Sequence, residues 1–196
     1  LTLYPFILYV LPGMVFTTAT GNAYCFFDIV ATQSAPVSAS GLCTFSDVTV
    51  HVGTYLTAEF TVDTSNYNQK FVLENQNIDT SLIRVEVQEN PNQETRTFFQ
   101  QANNLVTTTG ESPVYWIEEA SEQYYELTFG DGYFGKKLQS GAKIFVRYLV
   151  SNGEAANGVQ SFANFTYTGR TVTSGGVSLN QGATVTNATV TAEGAE

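Results

Sequence analysis

Gly130-Asp131-Gly132-Tyr133-Phe134-Gly135 has the G-x-G-x-x-G spacing of a dinucleotide-binding turn. With Lys136 it also comes one residue short of a phosphate-binding loop, because Lys137 stands where Ser or Thr would hold Mg²⁺. Both motifs depend on a helix after the glycines, whose first amides hold the phosphate. Here Lys136-Lys137-Leu138-Gln139-Ser140-Gly141 follows instead and runs into a hydrophobic strand at Lys143. Five residues between Gly135 and Gly141 cannot form a crossover, which takes ~10 or more. The stretch is therefore predicted to be a pair of structural turns built on Gly130, Asp131, Gly132, Gly135 and Gly141.

Other chemistry fares no better. His51 is the only histidine. Asp47 precedes it by four positions, about 13 Å along an extended strand, too far to orient an imidazole. Glu118, Glu119, Glu122 and Glu126 have the carboxylates of a Ca²⁺ site or a glycosidase pair. No Asp-rich loop with a bending glycine accompanies them, so a solvated turn between strands is expected. A glycosidase using Glu118 or Glu122 would need two carboxylates facing each other across a cleft. Trp116, Tyr124, Tyr125 and Tyr133 are a possible sugar-stacking platform, although such aromatics more often form a core. Cys25 and Cys43 lie 18 positions apart, without zinc spacing. They read as two small buried hydrophobes in a reducing compartment. The sequons at Asn164 and Asn187 matter only in a secreted eukaryotic protein, and the thiols give no support for that.

The elements around these residues are β-strands. Thr, Val, Ile, Tyr and Phe supply 77 of the 196 residues, and such side chains suit a pleated surface better than a helix. A helical bundle is excluded. Disorder is excluded too, because 43% hydrophobic residues can bury a core. The net charge of −10 argues against nucleic acid and anionic membrane, which need clustered cations; Lys136-Lys137 is the only adjacent basic pair.

Period-two alternation marks the strands. Ile83, Val85 and Val87 share one face, Ala58, Phe60 and Val62 another, and Tyr125, Leu127 and Phe129 a third. Lys143–Val150 puts Ile144, Val146, Tyr148 and Val150 on one face and Lys143, Phe145, Arg147 and Leu149 on the other, and is expected to be covered on both sides. Further strands are expected at Met14–Thr18, Tyr24–Ile29, Phe45–Val52, Phe71–Leu73, Thr95–Gln100, Val114–Ile117 and Phe162–Thr168. Turn signals such as Ser151-Asn152-Gly153 separate them. The fold predicted is all-β: an antiparallel sandwich or barrel-like domain with extended terminal segments. Residues 45–168 form its core. Residues 1–44 are an N-terminal strand and loop segment, with Ala31–Gly41 a long loop. Residues 169–196 are a Thr/Gly-rich linker, or a strand that pairs with a neighbouring chain. The apolar opening, Leu1–Phe16, is interrupted by Pro5, Pro12 and Gly13, too early for the ~20 helical residues of a membrane span. It is expected to be a buried or interface strand.

The order of segments is similar to a known family. Gly53-Thr54-Tyr55-Leu56-Thr57 leads to Phe60-Thr61-Val62-Asp63, Gln69–Leu73 and the block Asn77–Val87. Then come Tyr125-Glu126-Leu127-Thr128-Phe129-Gly130-Asp131-Gly132-Tyr133-Phe134-Gly135-Lys136-Lys137-Leu138, Gly141 with its strand, and Ser151-Asn152-Gly153-Glu154-Ala155-Ala156-Asn157-Gly158. From about His51 to Gly158 this series resembles the T-even-type baseplate wedge proteins of contractile-tailed phages, related to baseplate J proteins. Before residue 50 the likeness thins to Pro12–Thr18, and Leu1–Leu11 departs from the family pattern.

The resemblance implies a structural virion protein with no catalytic residues, cofactor, metal or small-molecule substrate. Its partners would be other copies of itself and other wedge proteins, closing into a ring around the tail hub. That ring would hold the sheath extended and rearrange on contraction. It would sit in the virion tail baseplate, assembled in the host cytoplasm. Gly153 and Gly158 then join the structural turns. Leu3, Tyr4, Phe6, Ile7, Leu8, Lys136 and Lys137 are candidate contacts with neighbours. The family's members are much longer and residue 1 is Leu, so the chain is expected to belong to a longer polypeptide. A competing expectation is a carbohydrate-binding sandwich of a phage fibre or surface adhesin.

Overall fold

A computed structural model describes residues 7–10, 13–17, 21, 23–27, 33–36, 49–66, 68–102, 108–151, 164–166, 173–174 and 177–178. The chain divides into two compact units, one of residues 56–150 and one formed by the flanks 1–55 and 151–196.

The described residues contain fifteen strands and, as their only helical pieces, single 3₁₀ turns at Thr80–Leu82 and Ser121–Gln123. In chain order the strands are β1 (Ile7–Val10), β2 (Val15–Thr17), β3 (Ala23–Cys25), β4 (Gln33–Pro36), β5 (His51–Val52), β6 (Thr54–Thr61), β7 (Phe71–Leu73) and β8 (Arg84–Gln88). They continue with β9 (Thr97–Gln101), β10 (Val114–Glu119), β11 (Tyr125–Phe129), β12 (Lys143–Val150), β13 (Asn164–Thr166), β14 (Thr173–Ser174) and β15 (Val177–Ser178). The all-β class follows the composition. No helix among the described residues is long and apolar enough to cross a membrane.

The central unit is one seven-stranded sheet in the order β6-β12-β8-β9-β10-β11-β7. Its two outermost strands, β6 and β7, are consecutive in the chain, so the sheet must curl back on itself to bring them together. It nearly closes into a barrel. At the seam, the rings of Phe60 and Phe71 meet edge to face with centroids 5.7 Å apart. Beside them the Gln69 side chain donates to the Thr61 carbonyl at 2.7 Å and accepts from the Asp63 amide at 2.8 Å. One carboxamide thus ties the end of β6 to the start of β7.

Alternation decides what fills the interior. Val85, Val87, Ile144 and Val146 are completely buried, along with Phe99, Leu73 and Leu127. Each such side chain contributes roughly 1.5–3 kcal/mol by leaving water. Phe129 joins Phe71 and Phe99 in edge-to-face contacts at 5.6 and 5.8 Å. On β12, Leu149 is also fully buried, and the Arg96 guanidinium lies 3.7 Å over the Phe145 ring. The strand expected to be covered on both sides is thus covered at these points on its outer side as well.

One pairing departs from the antiparallel expectation. β9 and β10 run parallel, with Val114 beside Gln100 and Tyr115 beside Gln101. The segment between them, residues 102–113, is long enough to return the chain to the same end of the sheet. The sheet is therefore mixed.

In the flanking unit, β13, β2, β3 and β5 form an antiparallel sheet. Met14, Phe16, Tyr24, Cys25, Phe26 and Phe27 are buried. The Gly13 amide donates to the Phe26 carbonyl at 2.8 Å, and the Phe26 amide donates to Met14 at 3.0 Å. Two stretches differ from the sequence reading. Gln33–Pro36, within the expected loop, forms β4 and pairs with β1. Thr173–Ser174 pairs with Val177–Ser178 of the same chain. Both are too short and too polar to show a period.

Candidate functional site

The glycine turn leaves β11 at Gly130 and is stitched to the residues just before β10. Asp131 organises it. One carboxylate oxygen accepts from the Tyr133 amide at 2.8 Å and from the Phe134 amide at 2.9 Å. Those bonds, the Phe134 one first, hold the Asp131 carboxyl below its ordinary pKa. The Gly132 amide donates to Gly135, the Gly135 amide to Thr109, and the Lys136 amide to Ser112, at 3.1, 3.0 and 2.8 Å.

The Gly132, Tyr133, Phe134, Gly135 and Lys136 amides are thus bonded within the chain, and the Asp131 carboxylate occupies the centre of the turn. The glycines serve close approach. A Cβ on Gly130 would stand 2.0 Å from the Gly135 carbonyl carbon, and one on Gly110 would stand 2.1 Å from the Gly132 oxygen. Gly135, at φ +81°, has Val114 and Trp116 at 2.9 and 3.0 Å from the place of its missing Cβ. A Cβ on Gly132 would make only an ordinary contact, with Lys137 at 3.8 Å, but its φ of +97° still favours glycine.

The turn holds Tyr133 and Phe134 in solvent, 82% and 54% exposed. Lys136 pairs with Glu89, and Lys137 is exposed. Gly141, at φ +87°, closes the next turn and donates to the Val62 carbonyl at 2.8 Å. Gly153, Gly158, Leu3, Tyr4 and Phe6 lie outside the described residues. Ile7 and Leu8 lie on β1, opposite Pro36 and Ala35 of β4.

The remaining candidates are scattered. His51 sits half-buried on β5 opposite Cys25, and Asp47 lies outside the described residues. Cys25 is a free thiol that donates to the Phe26 carbonyl at 3.4 Å. Burial pushes its pKa up to about 12, so it is not poised as a nucleophile. Cys43 lies outside the described residues.

Glu118 stands opposite Glu126 across β10 and β11, and Lys70 binds Glu126 at 2.7 Å. No group of three His, Cys, Asp or Glu side chains among the described residues is placed to hold a metal. Trp116 and Tyr124 are half-buried, so of the proposed aromatic platform Tyr133 alone is fully presented to solvent. Tyr115 is buried, which pushes its phenol up to about 12.

A cluster not singled out from the sequence lies on the outer face of β8 and β12. Glu86 accepts from Arg147 at 3.1 and 3.3 Å and from Arg96 at 3.4 Å. Beside it, Ser81, Arg84, Phe98, Gln100, Gln101 and Tyr115 line an open groove of about 300 Å³. Alternation alone turns Arg84, Glu86 and Arg147 outward. Their meeting depends on the cross-strand register, which no single segment encodes. No protein-family model matches the chain, and a search of the curated proteins finds no significant match.

Proposed function

We propose that this chain is a structural subunit of a contractile-tail baseplate, a wedge-type protein that joins copies of itself and other wedge proteins into a ring. The ring encloses the tail hub in the virion, is assembled in the host cytoplasm and rearranges as the sheath contracts. The chain acts by binding neighbours, without catalysis, cofactor or small-molecule substrate.

One observation carries the reading. The segment most specific to the family resemblance, Phe129–Leu138, has its turn amides committed to its own chain and its glycines committed to backbone contact. A motif built in this way serves architecture. Its two exposed aromatics suit a contact with a neighbour better than a reaction. The test is the protein content of purified contractile-tailed virions from the source host. Peptides of this chain are expected in the baseplate fraction, and antibody against it should label the baseplate by electron microscopy. Absence from baseplates that contain every other wedge protein would refute the proposal.

The exposure of Tyr133 favours one alternative, a carbohydrate-binding module of a fibre or adhesin. A glycan array separates the two: saturable glycan binding that is lost in Tyr133→Ala would support the alternative.

A further inference from the structure

Asp131-Gly132 is the only Asp-Gly step in the chain. Such a step is the dipeptide most open to backbone isomerisation, because glycine has no side chain to shield its own amide. In that reaction the Gly132 amide nitrogen attacks Cγ of the protonated Asp131 carboxyl. The carboxyl hydroxyl leaves with the amide proton as water, and a succinimide ring forms. Water then opens the ring on either side. Attack at Cγ restores the original chain. Attack at the Asp131 main-chain carbonyl carbon breaks its bond to Gly132 and leaves Gly132 joined through Cγ, an isoaspartate. One water departs and one returns, so the reaction needs no other reactant.

The closed turn holds both reacting groups. The nucleophile, the Gly132 amide, donates to the Gly135 carbonyl at 3.1 Å. The electrophile accepts from the Phe134 amide at 2.9 Å and the Tyr133 amide at 2.8 Å. Those bonds keep the Asp131 carboxyl in its ionised form, which reacts poorly with a nucleophile. The turn is anchored in its own right. The Gly135 amide donates to the Thr109 carbonyl at 3.0 Å, and the Ser112 hydroxyl accepts from the Thr109 amide at 3.0 Å. Asp131 and Gly132 are both exposed, so hydrogen bonding, and not burial, restrains them.

We infer that Asp131–Gly132 is a latent isomerisation site, held inactive by the hydrogen bonds of the closed turn and released when the turn opens. Its product dismantles the turn. Isoaspartate adds one methylene to the main chain and carries the free carboxylate on Cα, away from the Tyr133 and Phe134 amides. A Cβ on Gly130 would already stand 2.0 Å from the Gly135 carbonyl carbon, so the site has no slack for a longer backbone. The reaction therefore removes the scaffold that presents Tyr133 and Phe134 to solvent, and turns a passing opening into a permanent change. The inference is independent of what those aromatics contact, and so of the wedge reading.

Peptide mapping of the purified chain during prolonged incubation tests it. Tryptic cleavage after Arg96 and Lys136 gives a peptide of residues 97–136. It contains Asp131 and excludes Asn152-Gly153 and Asn157-Gly158, whose deamidation would also yield isoaspartate. Isoaspartate at position 131, identified by its fragment ions, should accumulate roughly tenfold or more slowly in the native chain than in guanidinium. Ser112→Ala, which loosens the Thr109 anchor, should speed it in the native chain with circular dichroism unchanged. Chain isomerised in guanidinium and returned to buffer should leave the Tyr133 and Phe134 amides open to hydrogen exchange. Unmodified chain treated alike should regain their protection. Equal rates in native and unfolded chain would overturn the inference, as would a native Ser112→Ala chain no faster than the original. Protected Tyr133 and Phe134 amides in the isomerised chain would overturn the consequence drawn for the turn.

Discussion

The β10–β11 hairpin ends in two turns of opposite construction. At one end, Glu122 and Gln123 take φ values of +63° and +64° without a glycine. At the other, Gly132 and Gly135 take +97° and +81°. Left-handed backbone costs an ordinary residue ~1–2 kcal/mol, which open space leaves bearable. The glycine end adds a second demand, because backbone must touch backbone where a Cβ would stand. Positive φ alone therefore does not make glycine obligatory; crowding does.

That contrast can be broken by substitution, with the largest effect at the crowded end. Gly130→Ala forces a Cβ into the Gly135 carbonyl and is expected to cost more than about 4 kcal/mol, read as loss of the cooperative transition in urea. Gly135→Ala combines the left-handed penalty with a clash against the Val114 and Trp116 side chains, which can yield. It should cost about 2–4 kcal/mol, measured by the same titration.

A smaller effect should appear in acid. The Asp131 carboxyl has a lowered pKa in the folded turn. The unfolded chain therefore binds more protons at low pH, and the turn's stability falls as pH drops from about 3.9 through the folded value. The Tyr133 and Phe134 amide resonances should shift in that window, and Asp131→Asn should abolish the pH dependence. At the open end the change is least and of opposite sign. Glu122→Gly removes strain but adds freedom to the unfolded chain, so stability should rise by less than about 1 kcal/mol. A loss above 1 kcal/mol there would show that Glu122 does more than occupy the turn.

The sequence disclosed the strands of this hairpin because alternation is local: Tyr125, Leu127 and Phe129 announce their own face. It also disclosed that no helix follows Gly130–Gly135, since the spacing to Lys143 leaves no room for one. Crowding at Gly110 and Gly130 was not legible. It arises from tertiary contact, with Gly132 in another segment and with Gly135 across the turn, that no local pattern encodes. The parallel β9–β10 pair was hidden for the same reason, as was the meeting of Arg96, Arg147 and Glu86. The short β4, β14 and β15 fell below the length at which any period can register.

The placement of β6 beside β12 has a mechanical consequence. The Val62 amide donates to Ala142, and the Gly141 amide donates to Val62, at 2.8 Å each. The end of β6 therefore meets the start of β12, and the two strands run in opposite directions. Leu56 and Val150, where the chain enters and leaves this unit, fall at the same end of that pair. Tension drawn through the flanking segments would load the hydrogen bonds one after another, as in opening a zipper, and never all at once in shear. The unit is therefore expected to peel from one end at low force, a response that single-molecule pulling between positions 56 and 150 would register directly.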